Sequence, residues 1–152
     1  MELGMIGLGR MGGNMVQRLL GGGHRVVAYD PRTEAVEALT QSGATGASAI
    51  QDLVDQLTAP RVVWVMVPAG EPTEGTVNAV ADTLTRGDVI LDGGNSNYKD
   101  SIRRAASLKG RGIDFIDSGT SGGIWGLTEG YSLMVGGEAE AVRRVEPAFH
   151  TL

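Results

Sequence analysis

Gly7, Gly9 and Gly12 stand in the order G-x-G-x-x-G, with Leu8, Arg10 and Met11 filling the gaps. Glycines at this spacing suit one kind of chemistry, the cradling of a phosphate. The first permits a tight turn, the second lets a pyrophosphate come up against the backbone, and the third lets a helix pack on a strand. Free N–H groups at the start of that helix, with the positive end of its dipole, then face the anion. Asp30 closes the next apolar run, near the roughly 20-residue spacing at which an acid takes both hydroxyls of a ribose. Such an acid repels a 2′-phosphate, which favours NAD over NADP. Arg32, two residues on, could reach a 2′-phosphate and keeps NADP open.

The motif alone is weak in a chain with 24 glycines among 152 residues, so the elements around it decide its weight. Apolar runs at 3–6, 25–29, 62–67, 89–91 and 113–116 read as strands bounded by Gly, Pro or Asp. The run at 62–67 is apolar throughout, as for a parallel strand buried on both faces. Helical periodicity falls at 10–20, 33–41, 48–57, 73–84, 100–108 and 138–149. Gly21-Gly22-Gly23 stops the first helix, and Ser48 with Gln51 reads as a capping box for the third. Strand–helix alternation with short links predicts a doubly wound α/β sheet, mostly parallel. One long loop is expected at 118–130, rich in Gly, Ser and Thr, and loops of that length are usually functional. The glycine motif therefore sits between a strand and a helix, where a phosphate cradle belongs.

Two further segments lie just past strands: Asp92-Gly93-Gly94-Asn95-Ser96, and Ser121-Gly122-Gly123 with Ser132-Leu133-Met134-Val135-Gly136-Gly137 beyond it. In an open α/β sheet all three loops would share the carboxyl edge, where ligands bind. Taken together, the cradle and these two segments resemble the N-terminal domain of decarboxylating 6-phosphogluconate dehydrogenase, over essentially the whole chain. The likeness is closest to the shorter form, which tends to use NAD. The related 3-hydroxyacid dehydrogenases (3-hydroxyisobutyrate and tartronate semialdehyde types) share the cradle and Ser-Gly-Gly but usually differ at 92–96, and rank second. A third reading is a non-enzymatic NAD-binding module.

The resemblance implies a Rossmann-type fold and a role for each matching residue. Gly7, Leu8, Gly9, Arg10, Met11 and Gly12 would hold the pyrophosphate, and Asp30 with Arg32 would face the adenosine ribose. Val67, Pro68 and Ala69 would line the dinucleotide with backbone groups. Asn95 would sit between nicotinamide and substrate, and Ser121, Gly122 and Gly123 would hold a phosphorylated sugar acid. The sequence departs from the longer form at Ile124-Trp125, where that form has acidic residues. The family's general-base lysine lies on a helix of a following helical domain, through which the full-length enzymes mainly dimerise. Neither lysine here, Lys99 or Lys109, fits the lysine motif. The expectation is a domain complete for cofactor and incomplete for turnover, without the helical domain.

Composition narrows the remaining choices. Net charge is −5 with no basic run, against nucleic acid or an anionic membrane as partner. There is no cysteine, which removes disulfides and thiolate sites. No His or carboxylate cluster has metal-ligand spacing. The longest apolar runs fall far short of the roughly 20 residues of a bilayer span, and no signal peptide is visible, so a cytoplasmic protein is expected. His24 reads as a turn residue, His150 as part of a fraying end, Trp64 as core and Lys99 as solvated surface. Trp125 reads as a lid or as loop packing.

Overall fold

Val62–Val65 is buried at every position, so each of its faces needs its own cover. The computed structural model describes residues 1–152 and supplies that cover as two helix layers. The order is β1 (Glu2–Ile6), α1 (Arg10–Gly21), β2 (Arg25–Tyr29), α2 (Thr33–Thr40), β3 (Thr45–Gly46), α3 (Ile50–Asp55), β4 (Val62–Val65), α4 (Glu71–Ala81), β5 (Val89–Asp92) and α5 (Tyr98–Lys109). Then follow β6 (Asp114–Ser121), a 3-10 turn (Gly123–Trp125), α6 (Gly126–Glu129), β7 (Ser132–Gly137) and α7 (Ala139–Thr151). The sheet runs β3-β2-β1-β4-β5-β6-β7, parallel except for β7, which is antiparallel to β6. This is the expected doubly wound α/β architecture.

Alternation along the strands divides the core. Leu3, Met5, Val62, Trp64, Leu91 and Ile116 pack under α1, α2 and α7. Ile6, Val63, Val65, Ile90 and Phe115 pack under α3, α4 and α5. Trp64 is fully buried as expected, edge-on to Phe149 with ring centroids 5.7 Å apart. Successive strands step outward from β1 to β3, and the chain then returns through α3 to place β4 on the other side of β1. The connections leaving β1 and β4 diverge, and a crevice opens between them at the carboxyl edge.

Several boundaries differ from the expected ones. The strand at 62–67 stops at Val65, and the one at 113–116 starts at Asp114 and runs through Ser121. Ser118–Ser121 reads as loop from its own composition, but it pairs with Ser132–Val135 of β7. A partner more than ten residues away leaves no local signature. The expected loop 118–130 is therefore strand to Ser121 and largely short helical turns after Gly122. β3 has two residues and carries no pattern. The helix expected from residue 73 begins at Glu71, with Pro72 in its first turn where the missing N–H costs nothing. The capping box is also replaced. Asp52, not Gln51, accepts from Ser48 N–H (2.7 Å) and Ser48 Oγ (2.9 Å), while Gln51 bonds to Asp55.

His24 is not a simple turn residue, and the last residues of the chain are helical and packed. His24 is buried, its Nδ1 3.2 Å from the Met1 amine and its Nε2 2.7 Å from Thr151 Oγ1. Thr151 donates its own proton to the Pro147 carbonyl, so Oγ1 accepts from a neutral His24 protonated on Nε2. α7 continues past His150 to Thr151, and Leu152 is buried. Burial, then the charge of the amine, holds the His24 pKa below its ordinary value. A histidine with a depressed folded pKa contributes stability above about pH 6.5, and that contribution is lost as pH falls through the folded value. Urea unfolding is therefore expected to show stability falling between pH 7.5 and 5.5, with a shallower fall in His24→Gln. Equal slopes in the two proteins would contradict this.

Candidate functional site

The glycine motif forms the turn between β1 and α1. Gly7 takes φ +93°, and its N–H donates to the Tyr29 carbonyl at 3.0 Å. A Cβ at Gly12 would overlap the Gly7 carbonyl oxygen, so α1 lies directly on the turn. Gly9 is the N-cap of α1, exposed, with no side-chain cap and no atom within 4 Å of where its Cβ would stand. The first-turn N–H groups of Arg10, Met11 and Gly12 have no intrahelical acceptor. These uncapped donors behind an open backbone fit a pyrophosphate. Leu8 takes a different part: its side chain is core, and its N–H donates to Asp30 Oδ2 at 2.8 Å.

Asp30 is buried at the end of β2. Its Oδ1 accepts from the Arg32 N–H and Nε, both at 2.9 Å, and its Oδ2 accepts from Arg32 Nη2 at 3.0 Å as well as from Leu8. The Arg32 guanidinium, with smaller help from the backbone donors, outweighs burial and lowers the Asp30 pKa to about 2. Asp30 is thus ionised with its lone pairs in use, and the Arg32 side chain that occupies them is 63% exposed. Gly7, Gly9, Asp30, Arg32, Val67 and Pro68 line a cleft of about 550 Å³. Ala69 does not line it, and sits exposed one residue further along.

The second loop follows β5. Asp92 is completely buried; its Oδ1 accepts from Gly94 N–H (2.9 Å) and its Oδ2 from Ser96 Oγ (2.6 Å). A Cβ on Gly94 would stand 2.5 Å from the Val67 carbonyl oxygen, so this turn lies against the loop after β4. Asn95 takes φ +57°, a left-handed conformation that asparagine tolerates better than most residues. Its Nδ2 donates to the Thr120 carbonyl (3.1 Å) and its Oδ1 accepts from Thr120 N–H (2.9 Å). Each half of the amide keeps one free position, a donor and an acceptor, on an exposed residue.

That clamp places Asn95 against the residue before Ser121. Ser121 is exposed at the end of β6, and Gly122 and Gly126 admit the Tyr131 ring, which a Cβ on either would strike. Gly123, Ile124 and Trp125 are exposed, and Trp125 at 67% exposure does not pack into the loop. Cradle, 67–69 loop, Asn95 turn and Ser121 segment thus form one continuous edge. The residues sequence reasoning missed are the supports: Thr120, Tyr131, and Arg104, which pairs with Asp92 at 3.1 Å and with Glu74 at 2.8 Å. Lys99 is exposed at the start of α5, and Lys109 pairs with Glu138 at 3.2 Å.

Fold and cradle define a dinucleotide-binding domain of the Rossmann type. Residues 2–152 match the NAD binding domain of 6-phosphogluconate dehydrogenase, and the chain belongs to that family. It is 45% identical over 149 residues to the NAD(+)-dependent, decarboxylating 6-phosphogluconate dehydrogenase of Haloferax volcanii, covering 98% of this chain and 49% of that protein. The 6-phosphogluconate dehydrogenase of Plasmodium falciparum, solved apo, with its cofactor NADP+ and with its substrate 6-phosphogluconate, superposes with a TM-score of 0.89 at 27% identity, over 98% of this chain and 33% of that one. A 3-hydroxyisobutyrate dehydrogenase of Mycobacterium tuberculosis gives a TM-score of 0.89 at 26% identity, over 99% of this chain and 51% of that one. The chain spans about half the length of the first curated relatives it matches. No helix is long and apolar enough to cross a membrane.

Proposed function

We propose that this chain is the cofactor-binding half of an NAD-preferring 6-phosphogluconate dehydrogenase. The observation that carries the reading is the continuity of the carboxyl edge, where an uncapped helix start, an ionised aspartate and a half-free asparagine amide follow one another. When bound, the nicotinamide supplies the hydride acceptor. The chain's own residues bind and orient. Gly9 and the first turn of α1 receive the pyrophosphate, and Asp30 accepts the ribose hydroxyls once the exposed Arg32 side chain swings aside. The free donor and acceptor of Asn95 face the nicotinamide carboxamide and the substrate, and Ser121, Gly122 and Gly123 hold a phosphorylated sugar acid.

A general base must approach within about 3 Å of the proton it takes. Lys109 pairs with Glu138 at the far end of α5, and Lys99 Nζ lies over the exposed Tyr98 ring, which supports a proton acceptor other than these two lysines. The purified chain is therefore expected to bind NADH without reducing NAD+ in the presence of 6-phosphogluconate. Turnover by the chain alone would overturn this part of the reading.

The likeness to a 3-hydroxyisobutyrate dehydrogenase supports a second reading, a 3-hydroxyacid dehydrogenase domain. Shifts of the Ser121–Gly123 amide resonances separate the two. The first reading expects them with 6-phosphogluconate and not with 3-hydroxyisobutyrate, and the second the reverse.

Cofactor choice follows from Asp30. Asp30→Asn keeps an acceptor for Leu8 N–H, removes the charge that repels a 2′-phosphate and releases Arg32. NADH is expected to bind about tenfold tighter than NADPH to the parent chain, a difference of about 1.4 kcal/mol, and about equally to Asp30→Asn. An unchanged ratio would remove Asp30 from the specificity argument.

A further inference from the structure

Asn95 can face a ligand usefully only if its turn holds one shape, and its own amide fixes only the Thr120 side of it. The other side is fixed by Arg104. This arginine, on the inner face of α5, is 3% exposed. Its Nη1 donates to Asp92 Oδ2 and to Ser96 Oγ, both at 3.1 Å, and its Nε donates to Glu74 Oε2 at 2.8 Å. Ser96 Oγ therefore donates to Asp92 while accepting from Arg104, and Asp92 in turn receives Gly94 N–H. The residues on both sides of Asn95 are thus held by one carboxylate that one guanidinium orients.

Glu74 completes the arrangement from α4. Its carboxylate takes both Arg103 Nη atoms at 2.8 Å and the Nε of Arg104. The two arginines, Arg103 foremost, outweigh burial and lower its pKa to about 2. Glu74 N–H donates to Gly70 and Thr73 Oγ1 donates to Pro68, so the same turn of α4 anchors the 67–70 loop. A buried ion pair generally adds little net stability over an apolar pair of the same volume. What this one supplies is direction: a planar fork reaching three acceptors, on β5, on the turn after it and on α4, which a lysine's single ammonium cannot reproduce.

We propose that Arg104 is the positioning residue for Asn95, acting through Asp92 and Ser96 and itself oriented by Glu74. The purpose this serves rests on the reading of Asn95 as ligand-facing, but the positioning is measurable without ligand. The test uses the ¹⁵N-labelled chain with Arg104→Met, Arg104→Lys and Glu74→Gln. It reads the Asn95 side-chain NH₂ resonances and the exchange rate of Thr120 N–H, with Arg61 N–H, bonded to Asp88 at 2.6 Å on the opposite edge, as the remote reference.

In Arg104→Met the Asn95 resonances are expected to move and Thr120 exchange to quicken at least tenfold, with Arg61 unchanged. Arg104→Lys should recover only part of the loss, and Glu74→Gln should move the Asn95 resonances the same way by less. Should Arg104→Met not fold, Glu74→Gln decides, since Glu74 is only half-buried. Unmoved Asn95 signals in a folded Arg104→Met, or in Glu74→Gln where the former does not fold, would overturn the proposal. So would Asn95 changes matched by equal changes at Arg61. Asn95→Ala run alongside keeps the two ideas apart: unchanged NADH and 6-phosphogluconate affinity there removes the ligand-facing role of Asn95 and leaves the positioning by Arg104 standing.

Discussion

Gly12→Ala is expected to abolish dinucleotide binding and to cost about 1–3 kcal/mol of stability, the usual range for forcing an atom into a packed site. The new methyl group would overlap the Gly7 carbonyl oxygen, a backbone atom with little room to retreat. Gly7 is itself tied to Tyr29 and pressed against the Met66 carbonyl. To admit the methyl, α1 must lift off the turn, and its first N–H groups move with it. Gly9→Ala provides the contrast. Nothing lies near its Cβ position and its φ of −64° suits alanine, so stability should stay within about 0.5 kcal/mol of the parent. Its methyl would stand where the pyrophosphate approaches, and NADH affinity should fall at least tenfold. Urea unfolding and NADH titration of both variants check the pair. Parent-like NADH affinity in Gly12→Ala, or in Gly9→Ala, would mean that the turn is packing only.

Asp92→Ala is expected to destabilise the chain by about 3 kcal/mol, the lower end of the range for breaking a buried ion pair, because Arg104 keeps Glu74. The substitution takes the acceptor from Gly94 N–H and the Ser96 hydroxyl and one of two acceptors from Arg104 Nη1, on a guanidinium that stays buried. Asp92→Asn should cost less, because an amide oxygen still accepts from Gly94 while the charge pairing is gone. Thermal unfolding read by circular dichroism separates the three proteins. A loss below about 1 kcal/mol in Asp92→Ala would show that water or a neighbour replaces the carboxylate, and the Asn95 turn would then need another anchor.

Gly7, Gly9, Gly12 and Asp30 were legible in the sequence because their work is local. A turn, a helix start and the end of the next strand lie within one short stretch, and the strand and helix on either side give the glycine spacing its weight. Asn95 and Ser121-Gly122-Gly123 were legible as segments past strands, and the resemblance to a known family gave them roles. Their supports could not be read. Thr120 meets Asn95 only once β6 lies beside β5, and Arg104 meets Asp92 only once α5 folds back over the sheet. The Asp92, Gly94 and Ser96 spacing is that of a carboxylate closing its own turn, and could have been read so. The strand from Ser118 to Ser121 reads as loop because its partner, β7, comes after two short helical turns. Leu8, placed in the cradle by its position in the motif, turned its side chain into the core and gave its N–H to Asp30 instead.

Everything proposed for this edge depends on its binding a dinucleotide, with NAD preferred. Fluorescence titration of the purified chain with NADH and, in parallel, with NADPH tests it most directly. NADH is expected to bind saturably at one site per chain, and NADPH more weakly. Binding of neither by a folded chain would contradict it.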